Sequence, residues 1–534
     1  MVTFDHSPTV YWLFGYILAG LVVLSGSYKR VSTPVFLILC LFLLAFMRLP
    51  VIAFNRELNP DESQMLSHAI TLFQDPVYWR SVDGTTIGPL DNYLLVIPKF
   101  FGLQINYSTG RLMGLACAIG SLFFLFLALK NWFTTNIARR VIIIPLLFLA
   151  FTQEVDFVHY SSEQLPVLLL SLGIWLLSRF SLPLKDVRSN AFVTGLVAGA
   201  IPFAKLQAVP QAAVIALVAG WYCFLQFRYT KNYKSLLTLM LGGLTFPLAV
   251  FIWTLIYHVF QDLIDFYILG NVIYAGGTGL AGIPQKFAGI FALSPDFKVF
   301  TTSILAPAIL GLILIFQTFK KRENMQVPVF IGLLLLSSIY AVTKSGNDFV
   351  HYLNFCIAPF TLLAAYGLTK IVKWSIVFPA ILLVWFSGND AYSFVKERKL
   401  NNFYSVNVTT LGESPVVTEV NKLSKKGDYM VVWGWQCIYY VEAQLAQGTA
   451  ENHSERSIFE HPLRDTYRKR YLSDIQRTKP AFVLDAVGKN SFWVQNKTTQ
   501  GIESFPELFQ YINANYKLVG DFDDTLLYVR KDRL

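Results

Sequence analysis

Between residues 10 and 388 the chain passes again and again through apolar runs close to the roughly 20 residues a helix needs to cross the hydrocarbon core. Twelve such runs fall at about 10–28, 33–54, 108–129, 140–157, 162–179, 190–204, 207–226, 235–258, 299–318, 327–343, 353–370 and 374–388. A backbone in lipid must satisfy its own polar groups, so these runs read as transmembrane helices. Composition agrees: 54% of residues are hydrophobic and 15% charged, against about 25% charged in an ordinary soluble protein. The apolar character stops after Gly388. Two domains are therefore expected, a transmembrane domain over 1–388 and a soluble domain over 389–534.

Charge sets the orientation. Short loops rich in Lys and Arg stay on the cytoplasmic side. Alternate loops carry Lys29 and Arg30; Lys130, Arg139 and Arg140; Arg179, Lys185 and Arg188; Arg228, Lys231 and Lys234; Lys320, Lys321 and Arg322; Lys370 and Lys373. Only Asp186 and Glu323 share that side, and every other acid of 1–388 falls on the opposite one. The N-terminus, the loop 55–107 and the tail are thus expected outside the cytoplasm. The net charge of +10 is mostly this topology signal, so no nucleic-acid partner is implied. Cys437 is alone in the tail, which excludes a disulfide within it.

The loop 55–107 holds the densest chemistry. In Asn59-Pro60-Asp61-Glu62, Asn59 suits a helix N-cap, Pro60 the first helical position and Glu62 the third, the spacing of a capping box. Behind it Met65, Leu66, Ala69, Ile70, Leu72 and Phe73 recur at helical spacing, with Ser67, His68 and Thr71 between them. This pattern predicts an interfacial helix with one face in lipid, and a second short helix is expected over 90–101. Acids are favoured in a first helical turn, so Glu62 suits a cap. Asp61 suits a general base that takes a proton from a hydroxyl. The loop 261–298 is Gly-rich and reads as a lid. The tail alternates strands (429–433, 481–484, 526–529) with helices (463–477, 506–515), a small α/β domain. Its Trp433-Gly434-Trp435 offers aromatic faces to a sugar or, more simply, to a core.

These segments together resemble the GT-C glycosyltransferases, and most closely glycosyltransferase family 39, the group of protein O-mannosyltransferases and aminoarabinose transferases. The resemblance rests on Asn59-Pro60-Asp61-Glu62 after a span, Gly88-Pro89-Leu90 with Tyr93-Leu94, Tyr160-Ser161-Ser162-Glu163-Gln164-Leu165-Pro166 between two spans, and Phe203-Ala204-Lys205 at a span end. It covers about 30–390. It implies a polytopic α-helical membrane protein of GT-C type with about twelve spans and a small extracytoplasmic α/β domain at the C-terminus. It implies a sugar donor carried on polyprenyl phosphate, inverting transfer to an acceptor lipid, glycan or protein, and Asp61 as base beside Glu62. Cations are then needed for the phosphate, and Lys205, Lys344, His351 and Arg111 stand at external span ends. Glu163, His159, His68 and Tyr352 are expected around the substrate, and an acid–histidine set among them is suited to a divalent metal ion as in some family members. Each lysine also has a plainer reading as a snorkelling interfacial cation.

Three other readings compete, one of them a polysaccharide polymerase or ligase, also polyprenyl-dependent but lacking the acid pair of the loop 55–107. A transporter or flippase of lipid-linked glycans places ionisable groups mid-span, whereas here nearly all lie at span ends or in loops, and the main exception, Arg48, is itself near an outer end. A non-catalytic relative would keep the fold and bind a lipid-linked glycan only. The setting that fits is a bacterial cytoplasmic membrane. The orientation predicts that a cysteine introduced at Lys422 reacts with an impermeant maleimide in intact spheroplasts; reaction only after permeabilisation would reverse the topology.

Overall fold

The computed structural model describes residues 9–28, 30–180, 187–276, 279–321, 325–344, 347–403 and 411–534. Lys29, Lys185, Asp186, Arg322 and Glu323 of the charge pattern lie outside the described residues. Among the described residues, eight helices are long and apolar enough to cross a membrane: Val10–Ser27, Thr33–Ala53, Tyr107–Trp132, Leu206–Thr230, Lys234–Ile256, Gln326–Thr343, Val350–Leu368 and Val372–Glu397. A bent pair, Pro295–Ser303 and Leu305–Lys321, meets at 58° and counts as a ninth if taken as one span. The remaining three expected spans are helical but short: Thr135–Phe151, Gln164–Ser178 and Arg188–Ala200. Each expected span coincides with a helix, but three of those helices fall short of a crossing length.

The chain divides into two compact units. One holds Met1–Ala53, Gly114–Ile252 and Tyr274–Ser405; the other holds Phe54–Met113, Trp253–Ile273 and Val406–Leu534. The loop 55–107 thus packs with the tail domain.

In the first unit, close helix approach depends on missing side chains. A Cβ on Gly242 would stand 2.0 Å from the Phe192 carbonyl oxygen, and one on Gly195 would stand 2.2 Å from that of Leu239. Gly195 and Gly199 are four apart on the helix Arg188–Ala200 and face Gly242 and Gly243. Small residues at this spacing allow backbone contact where lipid supplies no hydrophobic drive. Gly311 and Gly367 play the same part between Leu305–Lys321 and Asn354–Leu368. Arg48 is buried and donates from Nη2 to the Phe157 carbonyl at 2.8 Å.

In the second unit, five strands form a sheet of order β2-β1-β3-β5-β4. They are β1 (Tyr429–Trp433), β2 (Ala446–Gln447), β3 (Phe482–Asp485), β4 (Tyr516–Phe522) and β5 (Thr525–Arg530). β2, β1 and β3 run parallel, and β5 and β4 are antiparallel. Asp523 and Asp524, both at positive φ, close the β4–β5 hairpin, the backbone twist that two-residue hairpins need. The buried strands β1 and β3 were legible as apolar runs. The edge strand β4, largely exposed, and the two-residue β2 were not.

Three expectations change here. The helix Pro60–Gln74 is not a lipid-facing amphipath: Glu62 to Leu72 are all buried. Its polar face is covered by the tail, where Asn452 Nδ2 donates to Ser67 Oγ at 2.6 Å and Gln447 N to Thr71 Oγ1 at 3.0 Å. The Gly-rich segment read as a lid is largely helical, including the π-helical turn Leu263–Leu269 and the helix Ile283–Leu293. The expected helix over 90–101 is two, Pro89–Leu94 and Ile97–Phe100.

The glycine contacts predict that Gly242→Val, which forces the Arg188–Ala200 helix away, lowers the thermal midpoint in detergent far more than Gly332→Val, where nothing lies within 4 Å of the added Cβ. Overpacking of this kind costs about 1–3 kcal/mol or more.

Candidate functional site

The two neighbouring acids of the loop 55–107 have opposite surroundings. Asn59 caps the helix Pro60–Gln74, its Oδ1 accepting from Asp61 N at 3.0 Å. Glu62 Oε2 accepts from Leu58 N at 3.1 Å, one residue earlier than a standard capping box. The Glu62 carboxylate is fully buried and held by a two-pronged contact from Arg111: Nε to Oε1 at 2.8 Å and Nη2 to Oε2 at 2.6 Å. Arg111 also donates to the carbonyls of Phe54 and Arg56 and lies over the Phe54 and Tyr107 rings. Expected at a donor phosphate, Arg111 is instead buried and already engaged with Glu62.

Asp61, one residue away, is half-buried, and among the described residues its carboxylate takes part in no hydrogen bond or ion pair. Its backbone is fixed by the cap while its oxygens stay available. Glu57, which sequence reading passed over, completes this corner. It accepts from Ser63 Oγ, which stands 2.7 Å from Tyr107 OH. Burial pushes the Glu57 carboxyl up to about 7, with Glu62, Glu442 and Asp61 adding to the rise. Its position four residues before Asp61 was the available signal.

His68 is fully enclosed in the same unit, and burial lowers it to about 4, so it stays neutral at pH 7. Expected around the substrate, it lies enclosed among the residues of this unit. The helix-to-tail contact continues at Gln64, whose Nε2 lies 3.2 Å from His453 Nε2.

The other expected residues belong to the first unit, and most of them meet. Lys205 sits extended between the short turns Ile201–Phe203 and Leu206–Ala208, buried. Its Nζ pairs with Glu163, donates to Ser162 Oγ, and lies 5.4 Å from the Tyr352 ring centre. Glu163 Oε2 is buried without a hydrogen-bond partner. His351 Nδ1 is 3.2 Å from Asp156 Oδ1. The His159 ring stands 5.8 Å from that of His351; His159 Nδ1 bonds the Val155 carbonyl, and Nε2 has no partner. Tyr352 OH is 3.3 Å from Tyr274 OH. Sequence reading found five members of this group and missed Asp156, the partner of His351. Lys344 closes the helix Gln326–Thr343 and is half-buried.

A buried cluster of this kind brings two acids, two histidines and a lysine together with unpaired acceptor and ring-nitrogen capacity. It can hold an anion through the ammonium or orient a hydroxyl. Among the described residues no three His, Cys, Asp or Glu side chains converge as a metal site, and Lys205 already neutralises Glu163.

Searches of protein-family models and of curated proteins return no match. Solved structures do match. ArnT from Cupriavidus metallidurans bound to undecaprenyl phosphate aligns over 93% of this chain and 98% of its own, with 10% identity and a TM-score of 0.54. This chain has the GT-C fold. The apo form of the same ArnT aligns at TM-score 0.40 with 11% identity over 97% and 98% of the two chains. The Archaeoglobus fulgidus oligosaccharyltransferase, tethered to an acceptor peptide, aligns at 0.37 with 12% identity over 89% and 69%. The architecture is accordingly that of a polytopic integral membrane protein of GT-C type with a small C-terminal sheet domain.

The raised Glu57 carboxyl carries a sign. A carboxyl with a folded value near 7 and an unfolded value near 4.5 binds more protons when folded. Stability is then highest below pH 4.5 for this group and falls as pH rises through 7, by an amount on the order of 3 kcal/mol. Glu57→Gln should flatten that fall, seen as a thermal midpoint that no longer drops between pH 5 and 8 relative to wild type.

Proposed function

We propose that this protein transfers a sugar from a polyprenyl-phosphate donor to an acceptor hydroxyl on the extracytoplasmic face of a bacterial cytoplasmic membrane. The observation that carries the reading is the pair Asp61 and Glu62: one acid is locked into the fold by Arg111, while the other keeps its carboxylate unengaged on a capped helix start. A structural pair of acids would be expected to be satisfied alike. The GT-C fold, seen also in an enzyme crystallised with undecaprenyl phosphate, supports a lipid-linked donor.

The chemistry needs little. The acceptor oxygen attacks the anomeric carbon from the face opposite the phosphate. The carbon–oxygen bond to phosphate breaks, and polyprenyl phosphate leaves with the electron pair. The acceptor proton passes to Asp61, so configuration inverts. Lys205, Lys344 and His351 are assigned the phosphate charge, with Glu163, His159 and Tyr352 ordering them or the sugar. Arg111 is assigned to position Glu62 and through it the helix that carries Asp61.

Asp61→Asn should cut transfer by about 10²–10⁴-fold, the usual contribution of a positioned base, because an amide accepts no proton. Thermal stability and polyprenyl-phosphate binding should stay near wild type. The assay follows radiolabelled sugar leaving a polyprenyl-phosphate donor with purified protein; undiminished turnover by this variant removes Asp61 from the role.

A further inference from the structure

The sheet domain carries a second aromatic site that the transfer chemistry does not use. β1 ends at Trp433 and β3 at Asp485. The loop after β1 leads towards β2 on one side, and the loop after β3 leads away towards β5 and β4 on the other. In open α/β sheets, ligands bind outside the carboxyl ends of parallel strands whose connections diverge in this way.

The residues there fit a ligand. Trp433 is core, its Nε1 donating to the Gln500 carbonyl at 2.7 Å. Phe492 and Trp493, by contrast, are 36% and 48% exposed and stack at 4.8 Å. Both stand edge-on to Trp435, which in turn stacks on His453 at 4.0 Å. Trp493 is held at φ 62, a strained setting for a bulky residue. The loop around it is pinned: Trp435 N donates to Ser491 Oγ at 2.8 Å, Lys489 N to Asp524 Oδ2 at 2.8 Å, and Asn490 Nδ2 to the Asp523 carbonyl at 2.7 Å. At the base of the cluster, Trp435 Nε1 and His453 Nδ1 are buried without a hydrogen-bond partner. Buried polar groups of this kind are normally paired, so their partners have to come from outside the chain, as a water or a ligand hydroxyl.

We infer that the Phe492–Trp493 platform, backed by Trp435 and His453, binds a pyranose unit of a glycan, and that this glycan is the acceptor. The use as an acceptor subsite rests on the transferase reading above; the binding of a sugar does not. A pyranose presents a face of C–H bonds, which carry slight positive charge, to the negative face of an aromatic ring. Its equatorial hydroxyls then need polar partners, and the same loop carries Lys489 and Asn490, both bonded to Asp523, while Lys497 pairs with Asp524. A membrane-inserting patch has different company. The same unit contains one with that character: Phe100 and Phe101, 75% and 78% exposed, among the exposed Ile97 and Leu103. Position also argues for the acceptor. His453, stacked on Trp435, meets Gln64, three residues beyond Asp61 on the same helix. A glycan on the platform therefore lies in the unit that carries the proposed base.

The test uses the full chain in nanodiscs of phosphatidylethanolamine and phosphatidylglycerol. Chitotriose, maltotriose and mannotriose are the probes, read by saturation-transfer NMR and titration. At least one should bind. Trp493→Ala should weaken it by about ten-fold, the scale of one aromatic contact, and Trp493→Tyr should restore most of the affinity. Phe492→Leu serves the same purpose should Trp493→Ala not fold. Trp374→Ala, an exposed tryptophan of the other unit, should change nothing. Asp61→Asn should keep saccharide binding even as transfer stops, which separates this inference from the catalytic one. Failure of all three saccharides to bind the wild type, or equal binding by Trp493→Ala and Phe492→Leu, overturns it. So does a loss of lipid cross-linking in place of saccharide contact, which would make the patch a membrane anchor.

Discussion

The buried pair of Glu62 and Arg111 is the contact on which the loop unit depends. Its two prongs at 2.6 and 2.8 Å join the first turn of the helix Pro60–Gln74 to the residues that open the helix Tyr107–Trp132. Arg111 also fastens the carbonyls of Phe54 and Arg56, the chain entering the loop. One guanidinium thus closes a loop of more than 50 residues at both ends. Such a pair adds little net stability over an apolar equivalent, but removing one partner strands a buried charge at about 3–5 kcal/mol. What it secures is geometry. Asp61 is held between a capped backbone and a clamped neighbour, while its own carboxylate is left unengaged.

The membrane unit follows the same logic with different residues. Lys205 and Glu163 are both buried and pair directly, and Asp156 meets His351. Charges at such depth are costly unless paired and tend to mark a working site. The pairing is incomplete: Glu163 Oε2 and His159 Nε2 lack partners. Both are acceptors, His159 Nε2 because Nδ1–H is given to the Val155 carbonyl, so a group that donates a hydrogen bond, such as a hydroxyl, has somewhere to bond without the whole set being rebuilt. The glycine seams at Gly195, Gly199, Gly242 and Gly243 serve a separate end, letting helices approach where lipid gives no reason to associate.

In the tail domain, Trp433-Gly434-Trp435 offered aromatic faces to a sugar or, more simply, to a core, and the core reading holds. Trp433 lies within β1 and is fully buried, and Gly434 turns at φ 115 towards Ala486, as a residue with a side chain would not. The rings that reach solvent are Phe492 and Trp493, which sit in a loop without any periodic pattern. Similarly, the period of the helix Pro60–Gln74 announced one apolar face, and its Ser67, His68 and Thr71 announced a polar one. Asn452, Gln447 and His453 cover that face instead. Polar residues say that a face must be hydrogen-bonded, not that water does the bonding.

Sequence alone determined the membrane class, the places of the long apolar helices and the cap at Asn59, because each rests on local physics: apolar length and the backbone needs of a helix end. It determined the buried strands β1 and β3 for the same reason. Only the tertiary structure decided which acid is bound and which is free, that Arg111 serves Glu62, that Asp156 meets His351, and that the first loop belongs with the tail. Those outcomes depend on side chains brought together from positions up to hundreds of residues apart, and no periodicity records which of several equally charged groups will find a partner first.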